Sequence, residues 1–182
     1  MTWCAAAYNF WTVSHQEHRA KGPVSVGCFV LTVSDTRTSD TDASGRAIRE
    51  FIERAGHQVT GFAIVRDEPS LVTASVRQWL TDVDTRIIIT TGGTGISARD
   101  GTFEAMDTLF EKRLDGFGEL FRMLSFDEVG AAAMMSRATA GTVGAKAIFV
   151  LPGSEHAVRL AMSRLIIPEL GHVAQQLQKS LM

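Results

Sequence analysis

The chain is short of cysteine, of unbalanced charge and of long apolar runs, and each shortage closes off a class of protein. Cys4 and Cys28 are its only cysteines, and Cys28 sits inside a strand-like run. Two such thiols point to a reducing cytoplasm rather than a disulfide scaffold. Eighteen basic against 20 acidic residues leave a net charge of −2. No basic run has the density of a nucleic-acid or polybasic membrane partner. The longest apolar stretches have the length of strands, too short to cross a bilayer. Internal repeats and low-complexity tracts are missing too. What remains is 182 residues, enough for one domain with a sizeable core.

Residues 1–22 (MTWCAAAYNFWTVSHQEHRAKG) have no early Lys or Arg and no clean apolar centre, which makes a poor secretory signal. They read as an N-terminal arm, as an extra packing segment or as a cloning remnant, ahead of a domain over 23–182. His15 and His18 near Cys4 look metal-like, but no fourth ligand stands at a suitable spacing.

Strand-like and helical patterns alternate along the rest. Val24 to Val33 reads as a buried strand, residues 58–65 as a second strand and Arg86 to Thr91 as a third. Ala47, Ile48, Phe51, Ile52 and Ala55 recur at helical spacing until Gly56. Ser70 is placed to cap a helix carrying Val72, Val76, Trp79 and Leu80, and Thr102 to cap one through Phe103, Met106, Leu109 and Phe110. Asp115 to Glu119 reads as a break before a helical segment from Glu119 to about Ser125. Phe117, Phe121, Met123 and Phe126 read as core or subunit interface, and Met134-Met135 as close packing. Gly130 to Ala140 reads as a small-residue connection into a strand over Ala145–Leu151. Pro152-Gly153-Ser154 then turns into a helix that Pro168 separates from a last one near 169–179. This alternation predicts a Rossmann-like, doubly wound α/β fold with a mostly parallel sheet and helices on both faces.

In such sheets ligands bind beyond the carboxyl ends of the strands. Four loops leave those ends: Ser34-Asp35, Arg66-Asp67-Glu68, a glycine loop with Asp100, and Pro152-Gly153-Ser154. The glycine loop is the richest in signal. Ile87 to Thr91 empties into glycines at 92, 93, 95 and 101, which let backbone approach a ligand. Exposed N–H groups and hydroxyls ahead of a helix favour an anion such as phosphate. A carboxylate in that loop has little reason to face the anion unless a metal or a proton transfer is involved. Asp67 and Asp100 have two readings. Each is a helix cap or the partner of its neighbouring Arg66 or Arg99, or the two together suit Mg²⁺, which takes one or two carboxylates plus substrate phosphates. Gly93 to Ala98 formally matches a dinucleotide fingerprint. That fingerprint belongs after the first strand, and no acid ends a strand about 20 residues further on. A Walker-type phosphate loop is not present.

The motif TTGGTG-x(3)-RD-x-T-x-E-A at 90–105 resembles the signature of the molybdenum-cofactor-biosynthesis family, the MoaB/MogA-type molybdopterin-binding proteins. Val33-Ser34-Asp35-Thr36-Arg37, Asp42-x-Ser44-Gly45, Asp67-Glu68, Ser136-Arg137-Ala138 and Leu151-Pro152-Gly153-Ser154 add to the likeness over about 24–175. The run Gly116 to Ser125 leans toward the MoaB branch.

The resemblance implies a Rossmann-like fold in trimers or hexamers and a cytoplasmic, Mg²⁺- and ATP-dependent adenylylation of the terminal phosphate of molybdopterin. It carries catalysis onto Asp67 and Asp100, with Asp100 holding Mg²⁺. Thr91, Gly92, Gly93, Thr94 and Gly95, with Ser97 and Glu104, would bind phosphate or pterin. Ser34, Asp35, Pro152, Gly153 and Ser154 would complete the pocket wall. A pterin-binding or accessory role without efficient turnover is the alternative. One departure stands out: Phe103 occupies the place of the family's proline.

Overall fold

The computed structural model describes residues 25–178. The arm expected over 1–22, with Cys4, His15 and His18, lies outside them, as does Val24. Six strands of the described residues form one sheet: β1 (Gly27–Val33), β2 (Gln58–Val65), β3 (Ile87–Thr91), β4 (Lys112–Arg113), β5 (Thr139–Val143) and β6 (Lys146–Leu151). Their order is β2-β1-β3-β6-β5-β4. The first four run parallel, and β5 and β4 are antiparallel additions on one flank. The sheet is therefore mostly parallel, as the alternating pattern requires.

The helices are α1 (Ala43–Arg54), α2 (Pro69–Leu80), α3 (Thr102–Asp107), α4 (Asp115–Val129), α5 (Glu155–Ala161) and α6 (Ile167–Gln178). They cover both faces of the sheet, which is why the central strands read as unbroken apolar runs rather than as alternation. Cys28 and Val30 of β1, Ile87 and Ile89 of β3, and Phe149 and Leu151 of β6 pack under α1, α4 and α5. Phe29, Leu31, Ile88, Ile148 and Val150 point the other way, against Val72 and Val76 of α2 and Met106 of α3. Each such Ile or Leu contributes about 1.5–3 kcal/mol by leaving water.

Several local features depart from the sequence reading, each for a visible reason. Ser70 does not cap α2: Glu68 precedes the helix and Pro69 opens it, at a position where the missing N–H costs nothing. Thr102 is the first residue of α3 rather than its cap; Gly101 holds that place, without a side-chain bond. Asp115 to Glu119 is no break but the start of one helix reaching Val129. Gly118 is there for contact, since a Cβ on it would lie 2.8 Å from the Ala138 carbonyl oxygen.

The small-residue stretch after α4 forms a 3₁₀ turn, Gly130–Met135, and then β5. A side chain on Gly141 would collide with the Phe110 ring, so β5 is small because α3's exit lies on it. Pro168 does not separate two helices. A π-helical turn, Met162–Ile166, joins α5 to α6, and widened turns of this kind accommodate the lost proline N–H.

Candidate functional site

The four loops predicted to matter leave the carboxyl ends of β1, β2, β3 and β6, and they meet. A cleft of about 440 Å³ is lined by Ser34, Asp35, Asp67, Gly92, Gly93 and Gly153, together with Arg37 and Arg99.

The β1 loop is folded onto itself and across to the others. Ser34 donates its backbone N–H to the Val65 carbonyl at 2.8 Å, while its hydroxyl accepts from the N–H groups of Thr36 and Arg37, both at 3.2 Å. Arg37 donates to the Gly153 carbonyl at 2.7 Å, as Ser44 does at 2.9 Å. That carbonyl fastens the β6 loop to the start of α1. Asp42, only 2% exposed, caps α1 through the Gly45 N–H at 2.9 Å and accepts from the Thr32 hydroxyl at 2.7 Å.

The glycine loop is fixed against β6. Thr91 donates its hydroxyl to the Pro152 carbonyl at 2.8 Å, and the Gly92 N–H reaches the Leu151 carbonyl at 3.1 Å. Gly92 has φ of +102° and Gly93 of +66°, a region that L side chains rarely enter. Space forbids a side chain as well. A Cβ on Gly92 would lie 2.1 Å from the Val33 carbonyl oxygen. One on Gly93 would lie 2.2 Å from Thr102 Oγ1 and 2.6 Å from Asp67 Oδ1. Both of those oxygens are buried without a hydrogen-bond partner, and such atoms are rare in folded proteins because each carries an uncompensated desolvation cost.

Asp67 is the perturbed acid of the cleft. Its carboxyl is held above the ordinary carboxylate value first by burial, then by the charges of Asp100 and Asp35, against a lowering by Arg99. Asp35 accepts the Asp67 N–H at 3.3 Å, lies 3.7 Å from the Arg66 guanidinium and pairs with Arg99. Asp100 turns back into its own loop, where Oδ2 accepts the Ser97 N–H at 2.9 Å. Gly95 must be bare there, for a Cβ would sit 2.6 Å from that oxygen.

Not every candidate residue reaches the cleft wall. Thr94 is buried beneath the loop, and Gly95 and Ser97 shape it around Asp100. Glu104 lies on the exposed side of α3, paired with Arg137. The Arg137 guanidinium also stacks over Phe103 at 4.7 Å from the ring centre, so the residue in the proline's place holds an arginine. Pro152 and Ser154 border a second, apolar cavity of about 250 Å³ beside Phe121 and Ser136, with Ser154 capping α5 through the Ala157 N–H at 3.2 Å. The sequence reading did not single out Arg99, Thr102 or Ser44 as site residues. In the sequence Arg99 reads only as a neighbour of Asp100, although it reaches Asp35 at the end of another strand.

Comparison with known proteins gives the chain relatives over most of its length. Residues 29–172 match the family model described as a probable molybdopterin binding domain. Molybdenum cofactor biosynthesis protein B of Bacillus subtilis is 51% identical over 168 residues, 92% of this chain and 99% of that protein. A crystal structure of a molybdenum cofactor biosynthesis protein B is 47% identical with a TM-score of 0.85, over 87% of this chain and 99% of that one. The tungsten cofactor synthesizing protein MoaB from Pyrococcus furiosus is 34% identical with a TM-score of 0.77, over 85% and 98% of the two chains. Fold, cleft and likeness lead to one statement: this chain belongs to the molybdopterin-binding-domain family of MoaB/MogA-type molybdenum cofactor biosynthesis proteins.

Proposed function

We propose that this chain transfers an adenylyl group from ATP to molybdopterin. An oxygen of the terminal phosphate of molybdopterin attacks the α-phosphorus of ATP, the bond from that phosphorus to the β-phosphate bridge breaks, and pyrophosphate leaves. The observation that carries this reading is Asp67 Oδ1, buried without a donor beside Gly93 and under the charges of Asp100 and Asp35. A carboxylate so placed is costly unless a cation or a proton satisfies it. The donor set fits Mg²⁺. Among the described residues no three acids, histidines or cysteines gather as a metal-holding group, so Asp67 and Asp100 would share the ion with phosphate oxygens and water, its ordinary preference. Bound there, Mg²⁺ supplies charge neutralisation to the phosphates.

The chain's own part is positioning, which phosphoryl chemistry needs more than covalent help. Asp100 would hold the ion, and Asp67 would orient it or the nucleotide. Gly92, Gly93 and Gly153 admit the phosphates against bare backbone, and Ser34, Asp35, Thr91, Thr94, Gly95, Ser97, Glu104, Pro152 and Ser154 build or border the pocket. The domain spans 23–182 and works in the cytoplasm. Copies of it associate as trimers or hexamers through α4 and the following 3₁₀ turn, where Met123, Phe126 and Met134 are 56%, 61% and 82% exposed. Among the described residues no helix is long and apolar enough to cross a membrane.

One observation favours a second reading. Asp100 already serves the shape of its loop through Ser97, a duty that a pterin-binding chain without turnover would equally need. Purified protein with molybdopterin, ATP and Mg²⁺, scored for adenylylated pterin beside Asp100→Asn, decides between the two. Product from the parent and almost none from the variant is the expected result. Pterin bound but never adenylylated would leave a binding or accessory protein.

A further inference from the structure

Two arginines line the cleft, and they are not equally free. Arg37 is fastened at both terminal guanidinium nitrogens, to the Gly153 carbonyl at 2.7 Å and to Asp42 at 3.4 Å. Arg99 stands 65% exposed, and among the described residues Asp35 is the only acid within ion-pair distance of it. Their pairing runs from the loop after β3 to the loop after β1, across the cleft that both residues line. Asp35 is the better anchored member. Its side chain is 28% exposed, and its carboxylate also accepts the Asp67 N–H and neighbours Arg66.

We propose that Asp35 is an internal competitor for Arg99: without a ligand it occupies the guanidinium that a polyphosphate claims on entering the cleft. The inference rests on reading the cleft as a phosphate-accepting site. Exposed ion pairs are weak, so Arg99 leaves at little cost. A guanidinium binds phosphate through paired, charge-assisted hydrogen bonds, and a pyrophosphate group offers more charge than one carboxylate. Asp35 keeps Arg66 and the Asp67 N–H after the exchange. A singly charged ion gains too little to displace it, so the pair selects for di- and triphosphates over lone small anions. Arg99 is thereby a specificity-determining residue, and Asp35 sets the threshold.

The test is calorimetric titration of pyrophosphate, with and without Mg²⁺, into four chains: the parent, Asp35→Asn, Arg99→Gln and the double variant. Asparagine retains an acceptor for the Asp67 N–H, so the loop should keep its shape, and matched melting temperatures check that it does. Asp35→Asn should bind pyrophosphate about three- to fivefold more tightly than the parent, the scale of one exposed ion pair. Arg99→Gln should bind it less tightly, and adding Asp35→Asn to Arg99→Gln should change little, because the competitor has nothing left to compete for. An equal gain in both backgrounds would reduce Asp35 to bulk negative charge and overturn the proposal. Weaker binding by Asp35→Asn would overturn it too, by making Asp35 a contact of the ligand. Absence of binding by every chain, with or without Mg²⁺, would remove the phosphate-site reading and the competitor with it, an outcome distinct from the other two.

Discussion

The parallel half of the sheet and its antiparallel flank are built on opposite terms. Across β1-β3-β6 the strands are packed on both faces by helices, with β2 half-buried at the edge, and Asp35, Asp67 and Asp100 meet Arg37, Arg66 and Arg99 where the loops leave their carboxyl ends. Two buried oxygens there, Asp67 Oδ1 and Thr102 Oγ1, lack partners. On the flank, β5 and β4 are short, with small or charged residues, and the elements around them turn apolar side chains outward, Met134 at 82% exposure. The first region spends stability on an electrostatic site; the second leaves apolar surface exposed. Cores tolerate such local costs because burial elsewhere outweighs them, and unsatisfied or strained groups cluster where function demands them.

The sharpest way to break this contrast is Asp67→Asn. Adenylyl transfer should fall about 100-fold or more, the usual scale for removing one preorganised charge at a reacting phosphate. Stability should move the other way. A carboxyl whose native value is raised binds its proton more tightly folded than unfolded, so once ionised it opposes folding at neutral pH. Asparagine removes that opposition, and the melting temperature should rise by about 1–3 °C. Loss of both activity and stability would make Asp67 a structural residue.

A matched pair of glycines comes next. Gly93 and Gly144 have similar φ, +66° and +54°, but a Cβ on Gly93 meets Thr102 and Asp67 whereas one on Gly144 meets open space. Gly144→Ala should cost about 1 kcal/mol of stability from backbone strain alone and leave adenylyl transfer unchanged. Gly93→Ala should cost about 10-fold or more in turnover through the displaced acid. Chemical denaturation and initial rates on the two variants separate strain from site geometry.

Legibility follows the same division. β3, buried on both faces, announces itself as a β-branched run, and β2, a half-buried edge strand, as an apolar run between turn residues, so both are found nearly to the residue, and the loops that end them follow from topology. The flank was not legible. Thr139 to Val143 has one strongly apolar side chain at its end, because Phe110 and α4 leave no room for more. Gly118 looks like punctuation but lets α4 lie against the Ala138 carbonyl just ahead of β5, and Pro168 reads as a stop although a π turn carries the helix through. In the cleft, residue types and loop positions were readable. The Asp35–Arg99 pairing was not, since residues 64 positions apart meet only through the sheet order.

The flank should respond to charge where the cleft does not. Phe126→Glu or Met134→Glu places a carboxylate on the surface assigned to copy–copy contact, and mass measured by light scattering should shift from trimer or hexamer toward the single chain. The cleft is built within one chain, so pyrophosphate binding by the dissociated variant should stay within about twofold, since distant sites are usually additive. Unchanged mass would return this face to plain solvent exposure. Lost binding would mean that a neighbouring copy completes the cleft.

The smallest effect is the most discriminating, because it reports on the cleft's charges without removing any reacting group. The Asp67 carboxyl lies above its ordinary value of 3.8, raised by burial, then by Asp100 and Asp35, and lowered by Arg99. The acid limb of the Asp67 titration, followed by its carboxyl carbon NMR signal without metal or nucleotide, should therefore stand above that ordinary value. Asp35→Asn removes a neighbouring negative charge and should move the limb to lower pH. Arg99→Gln removes the balancing positive charge and should move it to higher pH. The two shifts have opposite signs, whereas a general loosening of the loops would expose Asp67 to water and lower the limb in both variants. Parallel shifts in the two variants would show that burial alone, not the Asp35–Arg99 pair, sets this acid.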